Sequence, residues 1–407
     1  MINKKLNFSY SNHLSNPLIN KKILKKNSLI ATKKIKHILK NIDKEKNVFH
    51  SFSKKFNQNV NTKNLKKFNK FEFIAIVGIG GSILGAKAIN QFLKQKIRKT
   101  FFFFDNLDEE NFKNILNKKK FKTTLFLIIS KSGNTIETLA NLSLLTKYKI
   151  NPSNTIIITE KKNSALSNFS KKRNILIVEH KKYIGGRYSV LSEVGMLPAY
   201  FMNLRVNSFK KNSLDFLSKK KSIFLNDSAS KLAQYYLAKK YNSLVFLNYC
   251  PQLEHFLFWC QQLIAESLGK KNKGFLPIVS IAPRDHHSLL QLYLDGPKDK
   301  LFYIFSSTDL TNLRLNKNLF GKEFKFLDNK NLNKIVNSQK DALTKSLKKK
   351  KIPFREFQIN NFSEECAGEL FSYFMLETVL IAELVKINPF DQSAVEDIKI
   401  ITKKLLS

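Results

Sequence analysis

The sequence predicts an α/β protein built from two tandem units, each with a parallel sheet. Short, unbroken apolar runs recur along the chain, and segments with helical periodicity separate them, which is the alternation typical of parallel sheets. Runs without polar interruption are expected for strands that are buried on both faces. The length of 407 residues and the hydrophobic content of 43% allow two or three domains with sizeable cores.

The first α/β unit is expected to follow a stretch of residues 1–65 that is rich in Lys and Asn. Weak periodicity at Ile35–Ile42 predicts that this stretch is an N-terminal helical arm. Strands are predicted next, in chain order, at Phe73–Val77, Thr100–Phe104, Thr124–Ile129, Thr155–Thr159 and Ile175–Val178. Helices are predicted between them, notably at Ile83–Phe92 and Thr135–Leu145. We therefore place the first unit at residues 66–210.

The second α/β unit is predicted to follow a lysine-rich break near Ser208–Ser222. Its strands are expected at Ser243–Leu247, Pro277–Ile281, Leu301–Phe305 and Pro353–Ile359. Its helices are expected at Leu253–Ser267, Leu332–Leu347 and Ala367–Leu384. The second unit is accordingly placed at residues 211–390, and residues 391–407 are predicted to add a C-terminal helix.

The formal net charge of +40 raises the question of a nucleic-acid partner. Only seven of the 71 basic residues are arginine, and the lysines run through the whole chain, interleaved with Asn. Proteins that read nucleic acids usually rely on Arg and cluster their charge on one face. The pattern therefore favours a compositional bias over a specific nucleic-acid surface. A positive field would also attract a phosphorylated small molecule.

Cysteine usage and hydropathy restrict the cellular setting. The three cysteines, Cys250, Cys260 and Cys366, are an odd number and form no CxxC pair, so neither a disulfide framework nor a zinc site is predicted. The N-terminal residues lack the apolar core of a signal peptide, and no apolar stretch approaches the ~20 residues of a membrane helix. We expect a cytoplasmic protein without membrane association or a metal site.

A glycine-rich turn, Gly78–Ser82 (GIGGS), joins the first predicted strand to a helix. Backbone N–H groups in such a turn can approach an anion at the positive end of the helix dipole. Gly81 and Ser82 are therefore candidate binding residues. A purely structural tight turn is the alternative, and the turn lacks the final glycine of the dinucleotide fingerprint GxGxxG.

The next informative junction is the loop that follows the strand Thr124–Ile129. Hydroxyl groups are concentrated there, because Ser130, Ser132 and Thr135 lie within six residues and flank Lys131. Hydroxyls and helix N-terminal amides are the donors that surround a phosphate. A helix cap is the alternative, but a cap needs only one hydroxyl. The loop therefore predicts a phosphate pocket.

Six blocks of sequence, taken in order, resemble those of one enzyme family. They are VGIGGS, SKSGNTIET, GGRYSVLSEVGMLP, AESLGK, DHHS with QL, and NPFDQ with VExxK. The second block resembles the phosphosugar loop of sugar-isomerase (SIS) domains, and the set as a whole resembles the phosphoglucose isomerase family. This resemblance implies two tandem three-layer α/β/α SIS domains with parallel sheets.

The resemblance also implies a reaction. It is the reversible aldose–ketose isomerisation of D-glucose 6-phosphate and D-fructose 6-phosphate in glycolysis and gluconeogenesis. The proton would move between C2 and C1 through a cis-enediol(ate), without cofactor or metal. Two alternatives stay open: a dual phosphoglucose/phosphomannose isomerase, and a non-catalytic SIS protein that binds sugar phosphates.

Site residues follow from the resemblance, block by block. Glu266 is the expected base, Arg187 the group that stabilises the enediolate, and His287 with Lys399 the groups that open the sugar ring. Gln262 and Gln392 are expected to bind substrate, together with the glycine and hydroxyl loops. The family's histidine comes from the neighbouring subunit, so a homodimer is implied. Outside this context a lone Glu, Arg or Lys is more often an ordinary surface or ion-pair residue.

Overall fold

The computed structural model describes residues 7–14, 19–44, 46–57, 62–115, 123–147, 150–308 and 313–407. Its strands are β1 (Phe8–His13), β2 (Phe73–Val77), β3 (Thr100–Phe104), β4 (Thr124–Ile129), β5 (Thr155–Thr159), β6 (Leu176–Glu179), β7 (Ser243–Asn248), β8 (Leu276–Ile281), β9 (Lys300–Ser307) and β10 (Phe354–Ile359). The helices of the first half are α1 (Lys21–Lys40), α2 (Thr62–Leu65), α3 (Leu84–Phe92), α4 (Glu109–Ile115), α5 (Ile136–Thr146), α6 (Ala165–Arg173), α7 (Glu193–Phe201) and α8 (Val206–Lys210). Those of the second half are α9 (Lys219–Leu237), α10 (Glu254–Leu268), α11 (Leu290–Asp295), α12 (Leu332–Lys349), α13 (Glu364–Leu384) and α14 (Glu396–Leu406).

The first sheet is parallel throughout, with the strand order β3-β2-β4-β5-β6. Its strands alternate between two apolar cores. In β4, for example, Leu125 and Leu127 belong to the cluster shared with α7, whereas Phe126 and Ile128 belong to the cluster shared with α5. Helices therefore cover both faces, and the predicted parallel α/β unit is confirmed.

The second sheet has the order β1-β10-β9-β7-β8, and its four strands from the second half of the chain are parallel. Apolar side chains again pack on both faces, with α12 on one side and α10 and α13 on the other. The second predicted parallel α/β unit is thus confirmed as well.

The edge strand β1 departs from the predicted helical arm. Residues 8–13 pair antiparallel with β10, whereas α1 supplies the predicted helical part of the arm and packs against α9 and α13. Asn12 of β1 accepts a hydrogen bond of 2.8 Å from Nε of Arg355, a fully buried residue of β10. A short polar strand such as FSYSNH carries little signal of its own, because its pairing depends on an edge more than 300 residues away.

The lysine-rich break near Ser208–Ser222 also differs from expectation, since α9 already begins at Lys219. The side chain of Lys221 lies between the carboxylates of Asp215 and Glu369. The charge there serves local ion pairs at the start of a long helix. Within the described residues, no helix is long and apolar enough to span a membrane.

Candidate functional site

Arg187 forms the centre of the site and is 3% exposed. It lies in a short 3-10 turn, Gly186–Tyr188, that follows β6. Its Nη1 donates to Oε2 of Glu266 at 3.0 Å and to Oε1 of Gln392 at 2.9 Å. Glu266 is in the last turn of α10, and Gln392 follows α13. The fold thus brings to Arg187 two residues that lie 79 and 205 positions away along the chain.

The other donors of Arg187 are also occupied. Nε donates to Oγ of Ser267 at 2.9 Å, and Nη2 donates to the carbonyl oxygens of Pro389 at 2.6 Å and Asp391 at 3.0 Å. A guanidinium has five N–H donors, and each of them has an acceptor within this chain. Arg187 therefore orders the site, and it must release one acceptor before it can donate to a substrate.

Gln262 completes this group, one helical turn before Glu266. Its Nε2 donates to Oε1 of Glu266 at 2.9 Å, so the carboxylate is held by two donors. Its own Oε1 is buried without a partner in the described part of the chain. A buried amide oxygen without a donor is costly, and a substrate hydroxyl could satisfy it. We call Arg187, Glu266, Gln262 and Gln392 the arginine cluster.

The glycine turn borders the arginine cluster on one side. Gly80 has φ +55°, and a Cβ there would come within 2.6 Å of Nε2 of Gln262. A Cβ on Gly81 would lie 2.2 Å from the carbonyl carbon of Gly186. Glycine is therefore required because the backbone of this turn packs closely against Gln262 and against the 3-10 turn Gly186–Tyr188. Ser82 ends the short 3-10 turn Gly80–Ser82 and is partly exposed.

The hydroxyl loop lies next to the glycine turn, because β2 and β4 are paired neighbours. A Cβ on Gly78 would come within 2.9 Å of the carbonyl oxygen of Ile129, the last residue before the loop. Both loops therefore follow the carboxyl ends of adjacent parallel strands, where ligands of open α/β sheets bind.

Within the hydroxyl loop the side chains bond to one another. Oγ of Ser130 is 2.8 Å from Oγ1 of Thr135, and Oγ of Ser132 is 3.3 Å from the same atom. Thr135 occupies the N-cap position of α5, yet its side chain makes no cap hydrogen bond. The cap alternative is therefore not what Thr135 does. The three hydroxyls of this loop therefore lie next to the N-terminus of α5, an arrangement that suits the binding of a phosphate.

Lys131 adds a positive charge to the hydroxyl loop. Its side chain is 32% exposed, and its Nζ lies 3.7 Å from Oε1 of Glu160, whose other oxygen pairs with Lys162 at 2.7 Å. Burial lowers the pKa of the Lys131 ammonium, although the charge of Glu160 opposes this change.

Among the described residues, His287 and Lys399 form no hydrogen bond or ion pair with the arginine cluster. His287 is exposed, whereas the ring of its neighbour His286 bonds to the hydroxyl of Tyr249 at 2.6 Å. Lys399 lies on α14, which has no buried residue, and its Nζ pairs with Oε1 of Glu396 at 2.6 Å. We call His287 and Lys399 the exposed pair.

Two cavities border Glu266. One of about 460 Å³ also contacts Gln262 and contains a Lys87–Asp105 ion pair and His255, whose pKa burial lowers to about 4. The other, of about 1280 Å³, lies between the end of α10 and the segment that carries Gln392. Sequence reasoning did not identify Lys87, Asp105 or His255, and only the fold brings them near Glu266.

Two contributors to the site were visible in the sequence without being recognised. Ser267 and Lys270 belong to the same block as Glu266. Ser267 accepts a hydrogen bond from Arg187, and Lys270 donates to the carbonyl oxygen of Asp391, next to Gln392. The described residues contain no group of three or more His, Cys, Asp or Glu side chains placed to hold a metal ion.

Comparisons with known proteins give a consistent result. The family model described as phosphoglucose isomerase matches residues 27–275. Glucose-6-phosphate isomerase of Methanocaldococcus jannaschii is 31% identical over 84% of this chain and 86% of its own length. The Campylobacter jejuni enzyme of the same name is 33% identical over 82% of this chain and 85% of its own length. The fold matches the crystal structure of a glucose-6-phosphate isomerase from Chlamydia trachomatis with a TM-score of 0.79 at 18% identity, covering 98% of this chain and 88% of that one.

Proposed function

The chain belongs to the phosphoglucose isomerase family, and we propose that it interconverts D-glucose 6-phosphate and D-fructose 6-phosphate. The observation that carries this proposal is the arginine cluster beside the hydroxyl loop. One part of the site presents a carboxylate held by two donors, and the other presents hydroxyls at a helix N-terminus. A sugar phosphate needs both, because its two ends differ in charge and in reactivity.

The hydroxyl loop is the proposed phosphate site. Ser130, Ser132 and Thr135 can each redirect a hydroxyl from its neighbour to a phosphate oxygen, since a hydroxyl both donates and accepts. Lys131 is proposed to add a charge-assisted contact after leaving Glu160. Gly81 and Ser82 are proposed to contact the sugar from the adjacent turn.

Glu266 is proposed to be the base that moves the proton between C2 and C1. General-base catalysis requires a carboxylate fixed within hydrogen-bond reach of the carbon acid. The donors Arg187 and Gln262 hold the Glu266 carboxylate through one hydrogen bond each, which supports this role. The partnerless Oε1 of Gln262 would accept a hydrogen bond from a sugar hydroxyl, and Gln392 would bind the sugar from the opposite side.

Arg187 is proposed to stabilise the enediolate. All its donors are occupied in the ligand-free site, so substrate binding would have to exchange one acceptor. The Nη1 group is the candidate, because its acceptors Glu266 and Gln392 are side chains that can turn, whereas Nη2 binds main-chain carbonyls. If this exchange occurs on substrate binding, Nη1 is in place before charge develops and needs no further reorganisation.

The exposed pair is proposed to open the sugar ring in a homodimer. His287 extends to solvent from the loop after β8, and such a side chain can enter a neighbouring subunit. Lys399 would approach the site when α14 packs, since this helix exposes Ile398, Ile401 and Leu405. Both residues would then complete the site from outside the folded core of one subunit.

The cysteines favour a reducing compartment, and we place the protein in the cytoplasm. All three are free and buried. Burial raises the pKa of the Cys250 thiol to about 12, which keeps it protonated and unreactive. Free thiols of this kind are usual in cytosolic proteins.

A coupled isomerase assay tests the proposed function. The wild-type chain is expected to turn over glucose 6-phosphate, and Glu266→Gln is expected to lower kcat ~100-fold or more while sugar phosphate still binds. Glu254→Gln, on the first turn of the same helix, is the matched control and should keep full activity. Binding without turnover in the wild type would instead indicate a non-catalytic sugar-phosphate protein, and mannose 6-phosphate assayed in parallel detects a dual isomerase.

A further inference from the structure

We propose that Lys270 is a positioning residue for this reaction, which fixes the turn of residues 388–392 against the active-site helix. The proposal rests on the isomerase function proposed above and adds a residue to its machinery. Lys270 does not reach the arginine cluster. It acts through the turn that delivers Gln392 to Arg187 and that leads into α14.

The contacts of Lys270 all converge on this turn. Its Nζ donates to the carbonyl oxygen of Asn388, to the carbonyl oxygen of Asp391 at 2.8 Å and to the carboxylate of Asp391. An ammonium has three donors, and these three acceptors match them. The side chain is only 16% exposed. The Lys270 ammonium also holds the pKa of the Asp391 carboxyl below its usual range.

Arg187 binds the same turn. Its Nη2 donates to the carbonyl oxygens of Pro389 and Asp391, so the Asp391 carbonyl accepts from both Arg187 and Lys270. The turn is therefore held between two cations from different parts of the fold. Removing one cation leaves carbonyl oxygens of the turn without a charged donor, which costs free energy. We therefore expect the turn to loosen.

The backbone of Lys270 is itself fixed relative to the base. Gly269 ends α10, and Lys270 exchanges two backbone hydrogen bonds with Lys273, at 2.9 and 3.0 Å. Glu266 is in the last turn of α10 and Lys270 follows its C-cap, four residues later. Lys270 therefore links the turn that carries Gln392 to the same end of α10 that carries Glu266.

Two groups of the site depend on this turn. Gln392 is exposed, and its side chain reaches Arg187 only because the turn places it there. The helix α14 has no buried residue, so the turn and the short helix Ser393–Val395 determine where Lys399 lies. Loosening the turn should therefore disturb catalysis while the hydroxyl loop still binds phosphate.

The test replaces Lys270 by Met and uses Lys271→Met as the matched control, because Lys271 is its exposed neighbour. Lys270→Met is expected to lower kcat ~10–100-fold, the cost of a misplaced catalytic group, with KM changed by less than about threefold. Hydrogen exchange of the backbone amides in residues 388–395 should rise in Lys270→Met and stay unchanged in Lys271→Met. Lys270→Arg, which keeps the charge, should restore part of both properties.

The outcomes are distinguishable. Wild-type kcat and unchanged exchange in Lys270→Met would overturn the proposal, and so would equal effects of the two Met variants. If Lys270→Met does not fold, Asp391→Asn takes its place, and its exchange should rise less because two of the three contacts of Lys270 go to carbonyls. No rise in Asp391→Asn would also overturn the proposal. A wild-type chain without isomerase activity would refute the proposed function, whereas the exchange comparison would still decide the role of Lys270.

Discussion

The arginine cluster and the exposed pair differ in how the molecule supports them. Within the cluster, Arg187 is buried, and all its donors are satisfied by residues of the same chain. In the exposed pair, His287 is exposed and Lys399 extends from a helix without buried residues. The arginine cluster is thus ordered by contacts within one chain. In the described part of the chain, His287 and Lys399 make no hydrogen bond or ion pair with this cluster, and their proposed roles require a second subunit or the packing of α14.

The difference follows from the cost of burying charge. A buried guanidinium must find acceptors as the chain folds, because an unpaired buried charge is very unfavourable. When the chain folds and buries Arg187, the acceptors on Glu266 and in the 388–392 turn are therefore held in place. Solvated groups such as His287 and Lys399 have no such requirement, and their positions can depend on a second subunit or on substrate.

The largest effect is expected from Arg187→Met. It should lower kcat by ~100–1000-fold, as the loss of an oxyanion donor does. It should also lower the free energy of unfolding by about 2–4 kcal/mol, because several acceptors lose hydrogen bonds to a charged group. Chemical denaturation and the coupled assay measure both. Unchanged stability would show that Arg187 does not stabilise the fold, and the arginine cluster would then not differ from the exposed pair in this respect.

The second prediction concerns His287 and uses two inactive variants together. Glu266→Gln and His287→Ala should each be inactive alone, because each removes a general acid–base group worth ~100-fold or more. If His287 crosses to the partner, each mixed dimer contains one intact site, and co-expression should restore about a quarter of wild-type activity. No recovery in isolated mixed dimers would place His287 within its own subunit.

Lys399 is expected to act in ring opening without contributing to stability. Lys399→Met should lower kcat by about 10–100-fold through slower ring opening, and the melting temperature should not change because the side chain is 58% exposed. Lys403→Met, one turn further along α14, is the matched control. Equal rates for the two variants would exclude Lys399 from the reaction, and a large loss of stability would show that α14 is already packed.

The smallest effect is a pH dependence at Lys131. The proposed contact of Lys131 with phosphate requires the charged ammonium, and its pKa in the fold lies below the ordinary lysine value of 10.5. KM should therefore rise as pH increases through that lowered pKa, a few-fold in magnitude for one surface-accessible contact, while kcat is little changed. Lys131→Arg should flatten this rise, because a guanidinium stays charged. The same rise in the Arg variant would assign the titration to another group.

Much of the fold was predictable because its strands are buried on both faces. The predicted bounds of Phe73–Val77 and Thr124–Ile129 agree with β2 and β4, since a strand covered by helices carries an unbroken apolar run. The strand β1 was not predictable, because it is short and polar and lies at an edge that the sequence does not reveal. The Lys87–Asp105 ion pair near Glu266 was not predictable either, because Lys87 lies in α3 and Asp105 follows β3, and no sequence motif links the two.

The two parallel α/β units, the family and the residue types of the site could be read from the amino-acid sequence, because these depend on local apolar patterning and on short ordered motifs. The tertiary structure decided that Arg187 binds Glu266, Gln392 and the 388–392 turn at once, and that Lys270 holds the same turn. It also shows that Arg187 is buried and fully bonded within the chain whereas His287 and Lys399 are exposed, although both groups are equally clear as motifs. The reason is that satisfying a buried charge requires acceptors from distant segments, and spacing along the chain does not record which segments meet.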